Sequence, residues 1–327
     1  MESLRLDLTP NSRFYVRNHF SVPSLDARTY RLHIGGAVQR PLDLSVKDFR
    51  GRGMRTMVST MECAGNGRAG LAPLPPGEPW QFGAVSTARW SGVPLRSVLE
   101  RAGVRKNAVE VLAIGADRGW PSDGSEEVPF ARSLPIAKAM HPDTLLALEM
   151  NGEPLPPEHG APVRLVVPGW YGVASVKWLT QIEVRTEPFA GYYQVARYVY
   201  DYADGSAPTP LTTMRVRSLI VSPGDGEIVP VGRVIVRGKA WSGEGEIAKV
   251  EVAVDGGETW QLVRLLGAAS PHAWRPWEFA WDARDPGRHV LRSRATELKG
   301  NGQPDVGRWN KHGYGNNAPH SIVVNVP

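Results

Sequence analysis

The 327-residue chain contains one cysteine, Cys63, in the run Glu62-Cys63-Ala64-Gly65-Asn66-Gly67-Arg68. A single thiol excludes an internal disulfide, a four-cysteine zinc site and an iron–sulfur cluster held within one chain. Two fates stay open. A lone cysteine is most often an inert, buried small hydrophobe. A thiolate favoured by a nearby guanidinium such as Arg68 instead binds a soft metal or attacks a carbonyl, and the surrounding glycines let the backbone approach a ligand closely. A second set of candidates is scattered: Arg17, Asn18 and His19 behind Phe14-Tyr15-Val16, then His159 and Arg164 flanking a turn, then Lys177. Singly, each reads as a surface or satisfied polar group. Collectively they can ring an anion, because an arginine fork takes phosphate or an oxyanion bidentately. Tyr192, Tyr193, Tyr198, Tyr200 and Tyr202 read mainly as packing, although a phenol can also donate a proton. Gly65 to Gly70 also matches G-x-G-x-x-G. The dinucleotide reading fails because Pro73, Pro75, Pro76 and Pro79 stand where the phosphate-binding helix would have to run.

The elements that must position these residues are short. Apolar spacing predicts helices over 93–102 and 136–140, and strands over 30–34, 108–114, 163–167 and 182–184. A long loop is expected over 62–82, and loops of that length are usually functional. The stretch 201–213 is rich in Pro, Gly, Ser and Thr and has the character of a domain boundary. Beyond it, short alternating strands with turn residues every ten or so positions predict an immunoglobulin-like sandwich, with Asp255-Gly256-Gly257 in a hairpin turn. The expected domains are therefore 1–213 and 214–327, in an α+β chain: a mixed, loop-rich first domain followed by an all-β sandwich.

Gly and Pro, 35 and 28 residues, make up about a fifth of the chain, which disfavours bundles and solenoids. The net charge of +5 is not gathered into any run, so no nucleic-acid partner is expected. Arg164, Lys177 and several Gly and Pro residues interrupt the most apolar region, 162–184, so no membrane span is expected. Residues 1–29 lack an export-signal pattern, which favours the cytoplasm, a mature periplasmic form being the alternative.

Val16-Arg17-Asn18-His19 with Val22-Pro23, the Glu62 to Arg68 run, and the segments 83–92, 149–154 and 163–179 together resemble the sulfite oxidase family of mononuclear molybdenum enzymes. Segments 239–243, 255–260 and 309–313 resemble that family's immunoglobulin-like dimerisation domain. The resemblance implies molybdopterin carrying one Mo, with Cys63 as the protein's ligand to the metal. It implies that Tyr15, Val16, Arg17, Asn18, His19, Asp117, His159, Arg164, Ser175, Val176 and Lys177 hold the cofactor. Substrate-pocket roles fall on Arg17, Arg68 and Tyr198, with Trp80 lining the pocket. The implied reaction is oxygen-atom transfer to a sulfite-like anion. Electrons then leave to a separate acceptor such as a cytochrome, no haem segment preceding Arg17, and the implied assembly is a homodimer. Vertebrate members carry a further pocket arginine where this chain aligns His312. With an ordinary pKa of ~6.5, that imidazole loses charge as pH rises, so a pH-sensitive KM is expected. The rivals are reduction of nitrate, another oxyanion or a sulfoxide at the same metal and, from a different class, a non-catalytic binding protein with Cys63 merely buried.

Overall fold

A computed structural model describes residues 2–50, 53–122, 124 and 126–327. The chain forms two compact units, one made of Pro10–Val58 and Ala88–Thr212, the other of Met1–Thr9, Ser59–Thr87 and Thr213–Pro327. No helix among the described residues is long and apolar enough to cross a membrane.

The first unit is built on a five-stranded mixed sheet, in the order Leu42–Leu44, Leu32–Gly36, Leu179–Arg185, Glu110–Gly119, Val128–Pro135. Leu32–Gly36 runs parallel to Leu179–Arg185, and the other neighbours are antiparallel. A second sheet, also of five strands, pairs Leu145–Met150 with Val85–Pro94 on one side and Arg164–Val166 on the other. Gly92 is required there, because a Cβ would stand 2.1 Å from the Leu146 carbonyl oxygen across the ladder. The predicted helices form as Leu95–Ala102 and Ile136–Ala139. In the longer one Leu95, Val98, Leu99 and Ala102 are buried, the i, i+3, i+4, i+7 stripe of an amphipathic helix. It ends at Gly103 in the left-handed region, whose N–H caps the Leu99 and Glu100 carbonyls. That stripe joins Leu32, Ile34, Ile182 and Val184 in one core.

The second unit contains a sandwich of two four-stranded antiparallel sheets. One is ordered Arg217–Ser222, Gly232–Trp241, Arg275–Ala283, Arg264–Leu265, and the other Gln261–Leu262, Ile247–Ala253, Gly287–Glu297, His320–Val326. Ile220, Val236 and Trp277 from the first face Val250, Leu291 and Val324 from the second in a shared core. Gly238 leaves room for the indole of Trp277, which a Cβ would meet at 2.1 Å. Asp255 caps its turn through its carboxylate, accepting N–H groups of Gly257, Glu258 and Thr259. The long segment after Glu62 belongs to this same unit, and its only regular element among the described residues before Val85 is the 3-10 turn Arg68–Gly70. No α-helix opens at the G-x-G-x-x-G run, residues 65–70.

Candidate functional site

Cys63 follows directly on the strand Arg55–Glu62 and is half-buried, between fully buried Glu62 and Ala64. Its N–H donates to Ala84 O at 2.8 Å, and its carbonyl accepts the Asn66 N–H at 2.9 Å, closing a tight turn around the thiol. Glu62, behind the turn, accepts hydrogen bonds from Arg217, Trp241 and Asn66. Gly67 is in the left-handed region at φ 78°, and a Cβ there would come within 2.2 Å of Arg217 Nη2. Gly67→Ala should therefore destabilise the protein by about 2–3 kcal/mol, combining backbone strain with displacement of a buried guanidinium, as read by urea unfolding.

Arg68 is buried and fixed. Its Nε donates to His312 O at 3.0 Å, its Nη1 donates to Glu78 O at 2.5 Å, and the guanidinium carbon lies 5.2 Å from the Tyr314 ring centroid. Space for it exists because Gly65 and Gly77 carry no Cβ, which would approach the guanidinium to 2.7 and 3.2 Å. The charge is held in place by backbone carbonyls, an arrangement of the kind that preorganised electrostatic binding requires. The His312 loop is joined to the Cys63 loop at two further points, Gly315 N–H to Ala64 O at 2.8 Å and Asn316 Nδ2 to Gly67 O at 2.8 Å. Buried Asn310 braces it from within, bonding both the N–H and the carbonyl of Tyr314. Trp80 is half-buried, and its backbone is tied to Glu78 and Ala69.

In the other unit the scattered polar residues form linked pairs. Lys177 Nζ donates to Asn18 Oδ1, and to Glu158 O at 2.8 Å, with the ammonium 4.3 Å from the Trp178 ring centroid. Burial, with Arg164 and Arg17 nearby, lowers the Lys177 pKa to about 7 against the opposing pull of Asp117 and Glu158. Of the two readings open to His159 and Arg164 singly, surface or satisfied polar group, the structure shows the second, for both are buried: Arg164 donates to His159 O and Ser175 O at 3.0 Å each, and His159 Nε2 lies 3.0 Å from Asn11 O. Ser175 Oγ accepts the Val167 N–H at 3.1 Å, and Val176 is fully buried behind it. Tyr15 stacks on Phe14, whose ring meets His159 edge-on. Arg17 and Val16 are exposed, and Arg17 bonds the Asn18 carbonyl.

His19 Nε2 and the Tyr198 hydroxyl are 2.6 Å apart. Burial first, then the cations Arg17, Arg197 and Lys177, push the His19 pKa down to about 3, so the imidazole is neutral at physiological pH. Tyr198 is buried and held at φ 57° by the Leu211 N–H on its carbonyl, a strained conformation for a bulky residue and one that clusters at functional sites. Sequence reasoning missed Arg217, Trp241, Asn310 and Asn316, all of which brace the Cys63 and His312 loops. Trp241 and Asn310 lie within the segments 239–243 and 309–313 that carry the resemblance but have no site role there, and Arg217 and Asn316 lie outside every such segment.

The donor chemistry fits the expected cofactor. Among the described residues no group of three or more His, Cys, Asp or Glu can hold a metal ion. A single thiolate leaves a metal's other positions open, and the two sulfurs of a dithiolene-bearing pterin would fit there. Asp117 is buried, its Oδ1 meets no hydrogen-bond donor, and burial raises its pKa to about 6. Such an acceptor fits the N–H groups of a pterin ring.

Comparison with known proteins matches residues 19–193 to an oxidoreductase molybdopterin binding domain and 209–327 to a Mo-co oxidoreductase dimerisation domain. The chain is 38% identical to mitochondrial sulfite oxidase of Macaca fascicularis over 98% of its own length, spanning 62% of that protein. It is 36% identical to sulfite oxidase of Gallus gallus, covering 96% of this chain and 72% of that one. Among solved structures, the sulfane dehydrogenase SoxCD from Paracoccus pantotrophus matches with a TM-score of 0.88 and 32% identity, over 99% of this chain and 85% of that one.

Proposed function

Because the chain belongs to the sulfite oxidase family of molybdopterin-binding oxidoreductases, we propose that it oxidises sulfite to sulfate and passes the electrons to a separate acceptor. The observation that carries the reading is a lone, half-buried thiol on a loop braced from behind by buried polar groups, with the fixed guanidinium of Arg68 on the same loop. When bound, molybdenum in molybdopterin supplies the oxygen-atom transfer and accepts two electrons. The chain's residues supply everything else. Cys63 is the metal's protein ligand. Asn18, Arg164 and Lys177 hold the cofactor's phosphate, with Tyr15, Val16, His19, His159, Ser175 and Val176 shaping its surroundings and Asp117 accepting from its ring.

Arg17, Arg68 and His312 bind and orient the substrate anion, neutralising its charge with donors whose positions are set in advance, and Trp80 lines the pocket. Tyr198 offers its hydroxyl to a substrate oxygen, steadied by its bond to a neutral His19. The working assembly we propose is a homodimer, in keeping with the dimerisation domain matched over 209–327.

The test is purification from a host that makes molybdopterin, followed by metal analysis and parallel assays with sulfite, a sulfane-sulfur substrate and nitrate. About one Mo per chain with sulfite the best substrate is expected. A metal-free active protein would overturn the reading. The second reading, sulfane sulfur as substrate, is favoured by the likeness to the sulfane dehydrogenase, and the same assays decide it.

His312 gives a further expected outcome. Arginine keeps its charge where imidazole loses it, and a charge-assisted hydrogen bond contributes ~1.5–3 kcal/mol. His312→Arg should lower the KM for sulfite about tenfold at pH 8 and flatten its pH dependence, as measured by steady-state kinetics.

A further inference from the structure

The turn that carries Cys63 is flanked by Glu62 and Asn66, and both are tied to one guanidinium. Arg217 Nη1 donates to Glu62 Oε1 at 2.8 Å and to the Asn66 carbonyl at 2.9 Å. Asn66 Nδ2 returns to the same Glu62 oxygen at 2.9 Å, and Trp241 Nε1 donates to the other, Oε2, at 2.9 Å. The two ionised side chains are only 3% and 2% exposed, and the Arg217 guanidinium carbon lies 5.4 Å from the Phe82 ring centroid. Residues 62 and 66 thus cannot shift apart, and the turn between them cannot roll, without stretching hydrogen bonds in a water-poor setting where each is hard to replace.

We propose that the buried Glu62–Arg217 pair, with Trp241, is a positioning device that fixes where the Cys63 thiol stands for its metal, rather than a fastening of the fold alone. The inference rests on Cys63 being the metal's ligand. A desolvated ion pair is poor evidence of stability by itself, since neutral residues of similar volume often serve as well, whereas partners behind a metal ligand typically change metal affinity or activity by ~10–100-fold.

The chain's single cysteine makes the test clean, because a thiol reagent reports on position 63 alone. In cofactor-free protein the reaction rate with 5,5′-dithiobis(2-nitrobenzoic acid) is measured alongside thermal unfolding, and Mo content is measured on protein from a molybdopterin-making host. Arg217→Met leaves a buried carboxylate uncompensated and should lower stability. Glu62→Gln combined with Arg217→Met removes both charges, so its melting temperature should return toward the parent's. Arg217's bonds to residue 62 and to the Asn66 carbonyl are still lost, so thiol reactivity should rise about tenfold and Mo content should fall. Trp241→Phe removes one hydrogen bond and no charge, and should raise the rate about threefold. A parental thiol rate and parental Mo content in the double variant overturn the proposal. Should that variant not fold, a parental rate in Trp241→Phe does the same. Parent protein that takes up no Mo would instead overturn the functional reading, leaving the thiol rates to report on the tether.

Discussion

Cys63→Ser should leave a folded protein with essentially no sulfite oxidation and little or no bound molybdenum. The thiol makes no disulfide, and serine nearly matches its shape, so the turn closed by the Cys63 and Asn66 backbones survives the change. The hydroxyl stays protonated near neutral pH and cannot supply the anionic sulfur that a soft metal prefers. Loss of groups that merely support a metal ligand costs ~10–100-fold, so loss of the ligand itself should exceed ~100-fold in turnover. Steady-state assays, metal analysis and circular dichroism on the same preparation check the three parts separately. Full activity in the serine variant would remove Cys63 from the chemistry, and loss of folded signal would make it a packing residue.

How much of this was legible in the sequence depended on whether a signal was local. The helix Leu95–Ala102 announces itself because a 3.6-residue stripe needs only its own side chains to be seen, with Gly103 stopping it. The sandwich strands were legible for the same reason, from short alternating runs separated by turn residues. The burial of His159 and Arg164 was not, because a charged residue before a strand looks the same in sequence whether its carbonyl partners are five residues away or absent. Arg217 was invisible in a stronger sense. It opens a strand and meets Glu62 across 155 positions, so neither residue's neighbours hint at the other. Cys63 and Arg68 were found because one is unique in the chain and the other lies five residues on. The residues that brace them escape such reading because a guanidinium, an indole and buried amides reach them from distant parts of the chain, with no spacing rule to show it.

Lys177→Met should move stability and cofactor binding in opposite directions. In the cofactor-free chain Lys177 titrates near 7, depressed chiefly by burial, whereas in the unfolded chain a lysine holds its proton to its ordinary value of about 10.5. Between those limits the unfolded state binds more protons than the folded one, so the parent's stability rises with pH across that window, and the methionine variant should lack the rise. An anionic phosphate, however, favours the protonated ammonium, so parental affinity for the cofactor should fall as pH climbs above about 7, by at most tenfold per unit. Asp117, near 6, is already largely ionised over that range and contributes little to the slope. With methionine the slope disappears, and affinity at pH 7 drops ~10–100-fold through loss of one charge-assisted bond. Unfolding of the cofactor-free protein from pH 7 to 10 and cofactor titration from pH 7 to 9 measure the two halves. A variant that lost stability without losing affinity would make Lys177 a support for Asn18 and Glu158, with no direct part in holding the phosphate.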